Sequence, residues 1–309
     1  MRIAIMAAGA VGGYFGARFA AAGHDVFFFA RGAHRDAIRK NGLKVESPLG
    51  DVHLRDVSLP DDPAQVGTVD IVLFAVKLWD LEQAASTLGP LIGPRTRVVT
   101  VQNGVDSLER LEAILPPGHA VAGLTQLATV IAAPGIIKHT SPFAFLRCGH
   151  ADGRRDATLD AFVAAAQLAD IDIALSDNIL RDVWAKFTIL TAIAGTTSAT
   201  RKAVGPLLAD ADTRALFHDI MKEIVAVARA KGVPLPADFA DQRLAYADQT
   251  LPKDMKASMA HDLDRGNRME LDWLNGKVVE LGRALGIPTP TNAAVYAILK
   301  PYRMGRLDS

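Results

Sequence analysis

The sequence predicts an α/β domain with a mostly parallel sheet, followed by an all-α C-terminal domain. Short apolar segments alternate with helix-forming segments through the first half of the chain, which is typical of a parallel sheet covered by helices on both faces. From Asp156 onward nearly every segment is helix-forming. The length of 309 residues favours two domains over one. The change of pattern places them at residues 1–172 and 173–309.

Strands and helices alternate in the first domain. Short apolar runs predict buried strands at Arg2–Met6, Val26–Phe29, Val69–Val76 and Arg97–Val101. Segments rich in helix formers predict helices at Val11–Ala22, His34–Lys40, Leu81–Leu88 and Ala157–Ala169. Leu43–Glu46 and Val52–Leu54 predict a hairpin. Short, partly antiparallel strands between Gly123 and Thr140, and a last one at Phe143–Arg147, are expected to complete the same sheet.

The second domain is expected to follow a junction at Asp170–Ser176. Its helices are predicted at Ile179–Ala194, Pro206–Lys231, Ala237–Gln249, Met255–Leu285 and Asn292–Leu299. Ser258 and Glu270 fall within one of these helices. They are twelve residues apart, about three turns at roughly 3.6 residues per turn, and we expect them on one broad face.

Composition excludes several classes of protein. With 34 Lys+Arg against 34 Asp+Glu, the balanced charge argues against a general binder of nucleic acid or anionic membranes. The only cysteine, Cys148, is expected to be a buried, inert residue in a cytoplasmic protein. No apolar run reaches membrane-spanning length, and Arg18 interrupts the apolar start that a secretion signal would need. The histidines lack metal-ligand spacing, so no metal site is expected.

A glycine-rich turn follows the first strand. Compared with the dinucleotide fingerprint G-x-G-x-x-G, it keeps the second and third glycines and has alanine at the first. The second glycine lets the backbone approach a pyrophosphate, and the third lets the helix pack on the strand. We therefore predict dinucleotide binding by Ala7, Ala8, Gly9, Ala10, Val11 and Gly12. The alternative is simple packing of small residues between strand and helix.

Polar residues at further strand ends indicate which dinucleotide binds. NAD-binding sheets place an acidic residue after the second strand, whereas this chain has Arg31 there. Arginine pairs with a 2′-phosphate, so NADP(H) is predicted over NAD(H). Lys77 and Asn103 follow two other strands, and we expect both to face the ligand from the carboxyl edge of the sheet. Each residue taken alone is also compatible with an ordinary loop position.

Two charged residues in the second domain have simple explanations when taken alone. Lys186 fits a surface lysine paired with Asp182 at i,i+4, worth about 0.3–0.5 kcal/mol. Glu270 fits an exposed helix charge.

Seven motifs in order make the chain similar to the 2-dehydropantoate 2-reductase (ketopantoate reductase) family over nearly its whole length. They are Ala7–Gly12, Ala30–Gly32, Val76–Lys77, Gln102–Gly104, Val183–Phe187, Ser258–Met259 with Asp262, and Glu270–Gly276. The resemblance implies a Rossmann-type domain, an all-helical domain and an active site between them. It implies NADPH-dependent reduction of a 2-keto acid to a 2-hydroxy acid, as in pantothenate biosynthesis.

The resemblance also implies roles for individual residues. Lys186 would be the general acid, and Glu270 would be its partner and a contact of the cofactor ribose. Ser258 would bind substrate, and Asn103 would lie near both the nicotinamide and the substrate. Further cofactor contacts would come from Arg31, Lys77 and Thr129.

Four positions depart from the family's ketopantoate-reducing members, which the resemblance expects to carry asparagine there: Leu190, Ala194, Val204 and Met255. An amide that bonds a charged group contributes roughly 1.5–3 kcal/mol, so a different, more apolar 2-keto acid stays open beside ketopantoate. Two other functions stay open: a dehydrogenase of a 3-hydroxy or sugar acid, and a non-catalytic NADP(H)-binding regulator. The apolar helices of the second domain suggest a homodimer.

Overall fold

The computed structural model describes residues 1–306, and the chain forms two compact units. The first unit comprises Met1–Gln102 and Asp106–Ile179; Asn103–Val105 belongs with Leu180 and the residues after it. The sequence-based boundary at 172/173 falls inside a strand, so the structure divides the chain seven residues later. Residues 307–309 of the expected second domain lie outside the described part.

Strands and helices alternate in the first unit, and the second unit is helical. The strands are β1 (Arg2–Met6), β2 (Asp25–Phe29), β3 (Leu43–Glu46), β4 (Val52–Leu54), β5 (Ile71–Phe74), β6 (Arg97–Thr100), β7 (Ala120–Gln126), β8 (Thr129–Ala133), β9 (Ile136–His139), β10 (Phe145–Gly149) and β11 (Asp172–Leu175). The helices are α1 (Ala10–Ala21), α2 (Gly32–Asn41), α3 (Leu81–Ala85), α4 (Ser107–Glu112), α5 (Ala157–Leu168), α6 (Ile179–Thr200), α7 (Val204–Ala209), α8 (Ala211–Ala230), α9 (Phe239–Thr250), α10 (Ser258–Arg265), α11 (Asn275–Leu285) and α12 (Pro290–Leu299).

The main sheet has seven strands in the order β11-β10-β7-β6-β5-β1-β2. Its strand pairs are parallel except β10 with β7. Alternate residues of the central strands point into different apolar clusters, Ile71 and Leu73 into one and Val72 and Phe74 into another. Burial on both faces explains why these strands are continuous apolar runs, and it confirms the predicted fold class.

The prediction that the strands between Gly123 and Thr140 complete the main sheet holds for β7 but is wrong for β8 and β9. The hairpin β3–β4 and the strands β8 and β9 form a separate sheet in the order β4-β3-β9-β8. Its buried side chains Val45 and Ile137 pack with Tyr14 of α1 in the same apolar cluster. Because α1 is covered by this second sheet as well as by β1, all residues from Gly12 to Phe19 are buried.

The strand β11 also differs from its expected role as a domain junction. It pairs in parallel with β10, with Phe145 opposite Asp172 and Cys148 opposite Leu175. Asp172–Leu175 therefore belongs to the first unit as the edge strand of its sheet.

Two long helices predicted in the second unit are each interrupted in the structure. The expected helix Met255–Leu285 is wrong, because α10 ends at Gly266, which has a left-handed φ of 70°. A 3₁₀ turn at Leu271–Trp273 then leads into α11. The expected helix Pro206–Lys231 is divided at Asp210 into α7 and α8. The Asp210 carboxylate accepts a hydrogen bond from the Thr213 amide at 2.9 Å and caps the N-terminus of α8.

Candidate functional site

The glycine-rich turn combines tight packing on one side with open space on the other. A Cβ at Gly12 would collide with the carbonyl oxygen of Ala7 and lie 2.9 Å from Ile5, so only glycine lets α1 approach β1 here. No atom would lie within 4 Å of a Cβ at Gly9. Ala7 does not adopt a positive φ, so alanine at the first fingerprint position causes no strain of that kind.

Helix α1 begins directly after this turn and presents its N-terminus to the open space. Gly9 is the N-cap, and the first turn contains no acidic residue. The unbonded backbone N–H groups and the positive end of the helix dipole attract negatively charged groups. The open approach at Gly9 and the dipole together fit the pyrophosphate of a dinucleotide.

Two cationic side chains follow the strands that flank β1. Arg31 comes after β2, and Lys77 comes after β5; both residues are exposed. Because β2 and β5 pair in parallel with β1, their carboxyl ends lie on the same edge of the sheet. The Arg31 guanidinium is 3.8 Å from the carboxylate of Asp80, and the Lys77 ammonium is 5.4 Å from the ring centroid of Trp79. The edge next to the glycine-rich turn therefore carries positive charge suited to a phosphate.

Sequence reasoning missed Asp80 and the role of Gln102. Asp80 follows Lys77 by three residues, and this position in a strand-end loop was the available signal. Gln102 is buried, accepts a hydrogen bond from Thr100 Oγ1 at 2.7 Å and donates to the Val76 carbonyl at 3.0 Å. It thereby links the ends of β5 and β6, the strands that precede Lys77 and Asn103.

The side chain of Lys186 is bonded to Asn103. Lys186 Nζ on α6 donates to Asn103 Oδ1 at 2.8 Å, although 83 residues separate the two in sequence. The alternative pair of Lys186 with Asp182 is not formed; a carboxylate oxygen of Asp182 instead accepts from Arg181 at 3.1 Å. The structure thus brings two of the predicted site residues together in the second unit.

The environment of Lys186 makes its ammonium unusually acidic. Burial by surrounding protein lowers the pKa of Lys186 from 10.5 to about 8, and the negative charge of Glu270 partly opposes this shift. Glu270 is itself only 8% exposed, contrary to its reading as a surface helix charge. An amine with a pKa near 8 can hold a proton at neutral pH and still transfer it, which is the requirement for general acid catalysis.

Two other predicted residues lie on different elements. Ser258 is exposed and is the first residue of α10. Because α10 ends before Glu270, the expected shared helix face of Ser258 and Glu270 is wrong. Thr129 begins β8 and pairs with His139 in the small sheet, not in the main sheet.

Comparison with known proteins assigns the family. The protein-family model "Ketopantoate reductase PanE/ApbA" matches residues 3–153, and the family model of its C-terminal domain matches residues 178–303. The chain belongs to the ketopantoate reductase family. As a member of that family it is a pyridine-nucleotide-dependent oxidoreductase that acts on CH–OH groups, and the resemblance noted in the sequence is confirmed.

Relatives within the ketopantoate reductase family match the chain almost from end to end. The 2-dehydropantoate 2-reductase of Mesorhizobium japonicum is 33% identical, with 97% of each chain covered. The crystal structure of a PanE/ApbA family ketopantoate reductase from Ralstonia eutropha has a TM-score of 0.88 at 34% identity, with 98% of each chain covered. A structure of D-mandelate dehydrogenase with NADH and anilino(oxo)acetate shares the fold, with a TM-score of 0.89 at 19% identity and 98% coverage of each.

Residues 1–306 contain neither a helix suited to span a membrane nor a cluster of metal ligands. None of the helices there combines the length and apolar character needed to cross a bilayer. No group of three or more His, Cys, Asp and Glu side chains in this part of the chain is arranged to hold a metal ion.

Proposed function

We propose that this protein reduces a 2-keto acid to the corresponding 2-hydroxy acid with NADPH, and that Lys186 is the general acid. The observation that carries the proposal is the bond between Lys186 and Asn103, together with a Lys186 pKa lowered to about 8. Family membership supplies the reaction class. When bound, the reduced nicotinamide supplies the hydride to the carbonyl carbon.

Lys186 has two roles in this proposal. Its ammonium donates a hydrogen bond to the keto oxygen and so stabilises the negative charge that develops there. It then transfers its proton to that oxygen, which yields the hydroxyl group. Asn103 orients the ammonium through the 2.8 Å bond, and Glu270 favours its protonated form.

The choice of NADPH over NADH rests on the charge at the sheet edge. Arg31 and Lys77 provide a guanidinium and an ammonium for the 2′-phosphate, while Gly9 and the α1 N-terminus receive the pyrophosphate. Replacing Arg31 with Ala should weaken NADPH binding about tenfold or more and leave NADH binding within about twofold, because a charge-assisted bond contributes about 1.5–3 kcal/mol. Equal losses for both cofactors, measured by fluorescence titration, would contradict this assignment.

The substrate is ketopantoate or a related 2-keto acid with a more apolar side chain. Ala194 and Val204 are buried in the apolar core of the second unit, and Leu190 and Met255 pack against it. These four side chains offer no hydrogen bond to a substrate hydroxyl. The anilino(oxo)acetate bound by the structurally similar D-mandelate dehydrogenase makes aromatic 2-keto acids reasonable members of a test panel.

The decisive experiment follows NADPH oxidation with a panel of 2-keto acids that includes ketopantoate, and uses NADH as the control cofactor. Lys186→Ala should reduce turnover about a hundredfold or more on the best substrate, in line with the effect of losing a general acid. Lys253→Ala, which removes an exposed lysine elsewhere in the second unit, is the matched control. Wild-type turnover in Lys186→Ala would refute the assignment. NADPH binding without reduction of any keto acid would favour a regulatory protein. In the reverse assay with NADP⁺ and hydroxy acids, oxidation at C3 would favour a 3-hydroxy acid dehydrogenase.

A further inference from the structure

The segment that carries Glu270 is held in place by the C-terminal part of the described chain. We call residues 296–306 the C-terminal clasp. The amide of Met269 donates to the Arg303 carbonyl at 2.9 Å, and the amide of Arg306 donates to the Gly266 carbonyl at 2.9 Å. These two backbone bonds fix the loop just before Glu270.

A side-chain contact fixes the same segment just after Glu270. The Tyr296 hydroxyl donates to Asp272 Oδ1 at 2.8 Å, and Arg303 Nε lies 3.5 Å from Asp272 Oδ2. A Cβ at Gly276 would lie 2.8 Å from the Tyr296 ring, so glycine allows the ring to approach. Burial and the bond to Asp272 raise the pKa of Tyr296, so its hydroxyl keeps its proton and remains a donor at neutral pH.

We propose that Tyr296 is a positioning residue: through its bond to Asp272 it fixes the turn that carries Glu270, the carboxylate that acts on Lys186. This inference rests on the proposed function in one respect, the use of Lys186 as the proton donor. Asp272 belongs to the 3₁₀ turn Leu271–Trp273, whose N-cap is Glu270. A displacement of Asp272 is therefore transmitted to Glu270 through two peptide units of a short, hydrogen-bonded turn.

The substitution Tyr296→Phe tests geometry without changing charge. Glu270 is the charged side chain that acts on Lys186. The charged groups around the clasp contact are Asp272, Arg303, Arg283 and Lys300, whose ammonium is 5.4 Å from the Tyr296 ring centroid. All of these remain in Tyr296→Phe. A change in the Lys186 pKa would then come from movement of Glu270.

The experiment measures the pKa of Lys186 directly, independently of turnover. Lysines are labelled with ¹³C-methyl groups, the Lys186 signal is assigned by its absence in Lys186→Arg, and its chemical shift is followed from pH 6 to 11. Because Glu270 raises the Lys186 pKa, we expect Glu270→Gln to lower it by about one unit and Tyr296→Phe by about half a unit. If the enzyme reduces a 2-keto acid, the falling limb of kcat/KM at high pH should move to lower pH by the same amounts.

Two comparisons separate positioning from a general structural effect. Tyr302→Phe removes an exposed hydroxyl from the same clasp and should leave the Lys186 pKa unchanged. Combining Glu270→Gln with Tyr296→Phe should give the same Lys186 pKa as Glu270→Gln alone. Position 270 then carries no charge whose distance from Lys186 could matter. An unchanged Lys186 pKa in Tyr296→Phe, or full additivity in the double variant, would overturn the inference. If the Lys186 pKa shifts as expected in these variants but no 2-keto acid is reduced, only the proposed function is refuted.

Discussion

Asp156 connects the sheet to α5 through a partly buried ionic contact. Its Oδ2 accepts from Arg97 Nε at 2.5 Å and lies 3.1 Å from His150 Nε2, while its Oδ1 accepts the Thr158 amide at 2.8 Å and caps the helix. Burial alone would raise the pKa of Asp156, but the bonds from Arg97, His150 and the Thr158 amide outweigh it and lower the pKa to about 2. A shift of this size from the usual 3.8 corresponds to about 2 kcal/mol of folding free energy.

The substitution Asp156→Asn should remove most of that stabilisation. Asparagine caps helices about as well as aspartate, so the loss measures the charged contacts with Arg97 and His150. Because the folded pKa is lowered, the contribution is complete above the unfolded pKa of about 4 and disappears as the pH falls towards 2. We therefore expect urea unfolding, followed by circular dichroism, to show a loss of about 2 kcal/mol at pH 7 and a smaller difference at pH 3.

Asp152→Asn is the control for this measurement. Asp152 pairs with Arg154 at 2.7 Å, but both side chains are exposed, so solvent screens the pair and its loss should change stability little. If Asp156→Asn unfolds at the same urea concentration as Asp152→Asn at pH 7, the ionic contacts of Asp156 do not contribute the expected free energy of unfolding.

Three further predictions concern the turn, the cysteine and the assembly. Gly9→Ala should keep wild-type stability but weaken NADPH binding at least about tenfold, because the space at Gly9 is open. Gly12→Ala should lower the melting temperature, because overpacking costs typically about 1–3 kcal/mol. The reverse pattern would contradict the roles of the two glycines in binding and packing. Native Cys148, buried with a pKa raised to about 12, should resist a thiol reagent that labels it rapidly in urea, and fast labelling of the native protein would refute this. Light scattering should show a homodimer, and a monomer would refute that expectation.

The parallel sheet was predictable from local pattern because its signal is repeated along the chain. Each central strand is a short apolar run followed by a helix, and the structure places β1, β2, β5 and β6 within a few residues of the predicted ranges. The glycine-rich turn was predictable for a similar reason, since strand, glycines and helix are contiguous. The packing of this turn involves residues close in sequence, since a Cβ at Gly12 would collide with Ala7 and Ile5.

The second sheet and the division of the long C-terminal helix were not predictable in this way. Strands β3 and β9 pair in parallel although about ninety residues separate Lys44 from Ile136, and no local pattern specifies such a partner. Met255–Leu285 has a continuous helical pattern, yet Gly266 adopts the left-handed conformation that ends α10. A glycine inside a helix costs about 1 kcal/mol relative to alanine. This cost is small enough that tertiary packing decides whether the helix continues through the glycine or ends there.

The chain's local chemistry specified an α/β domain, a glycine-rich turn between strand and helix, and cationic strand ends, because period, glycine spacing and strand-end residues are properties of contiguous sequence. Folding in three dimensions created the acidity of Lys186. Burial lowers the Lys186 pKa, and the carboxylate of Glu270, in a turn that Tyr296 contacts through Asp272, partly opposes this shift. A desolvated charge is a property of its surroundings, and those surroundings exist only once distant segments have packed together.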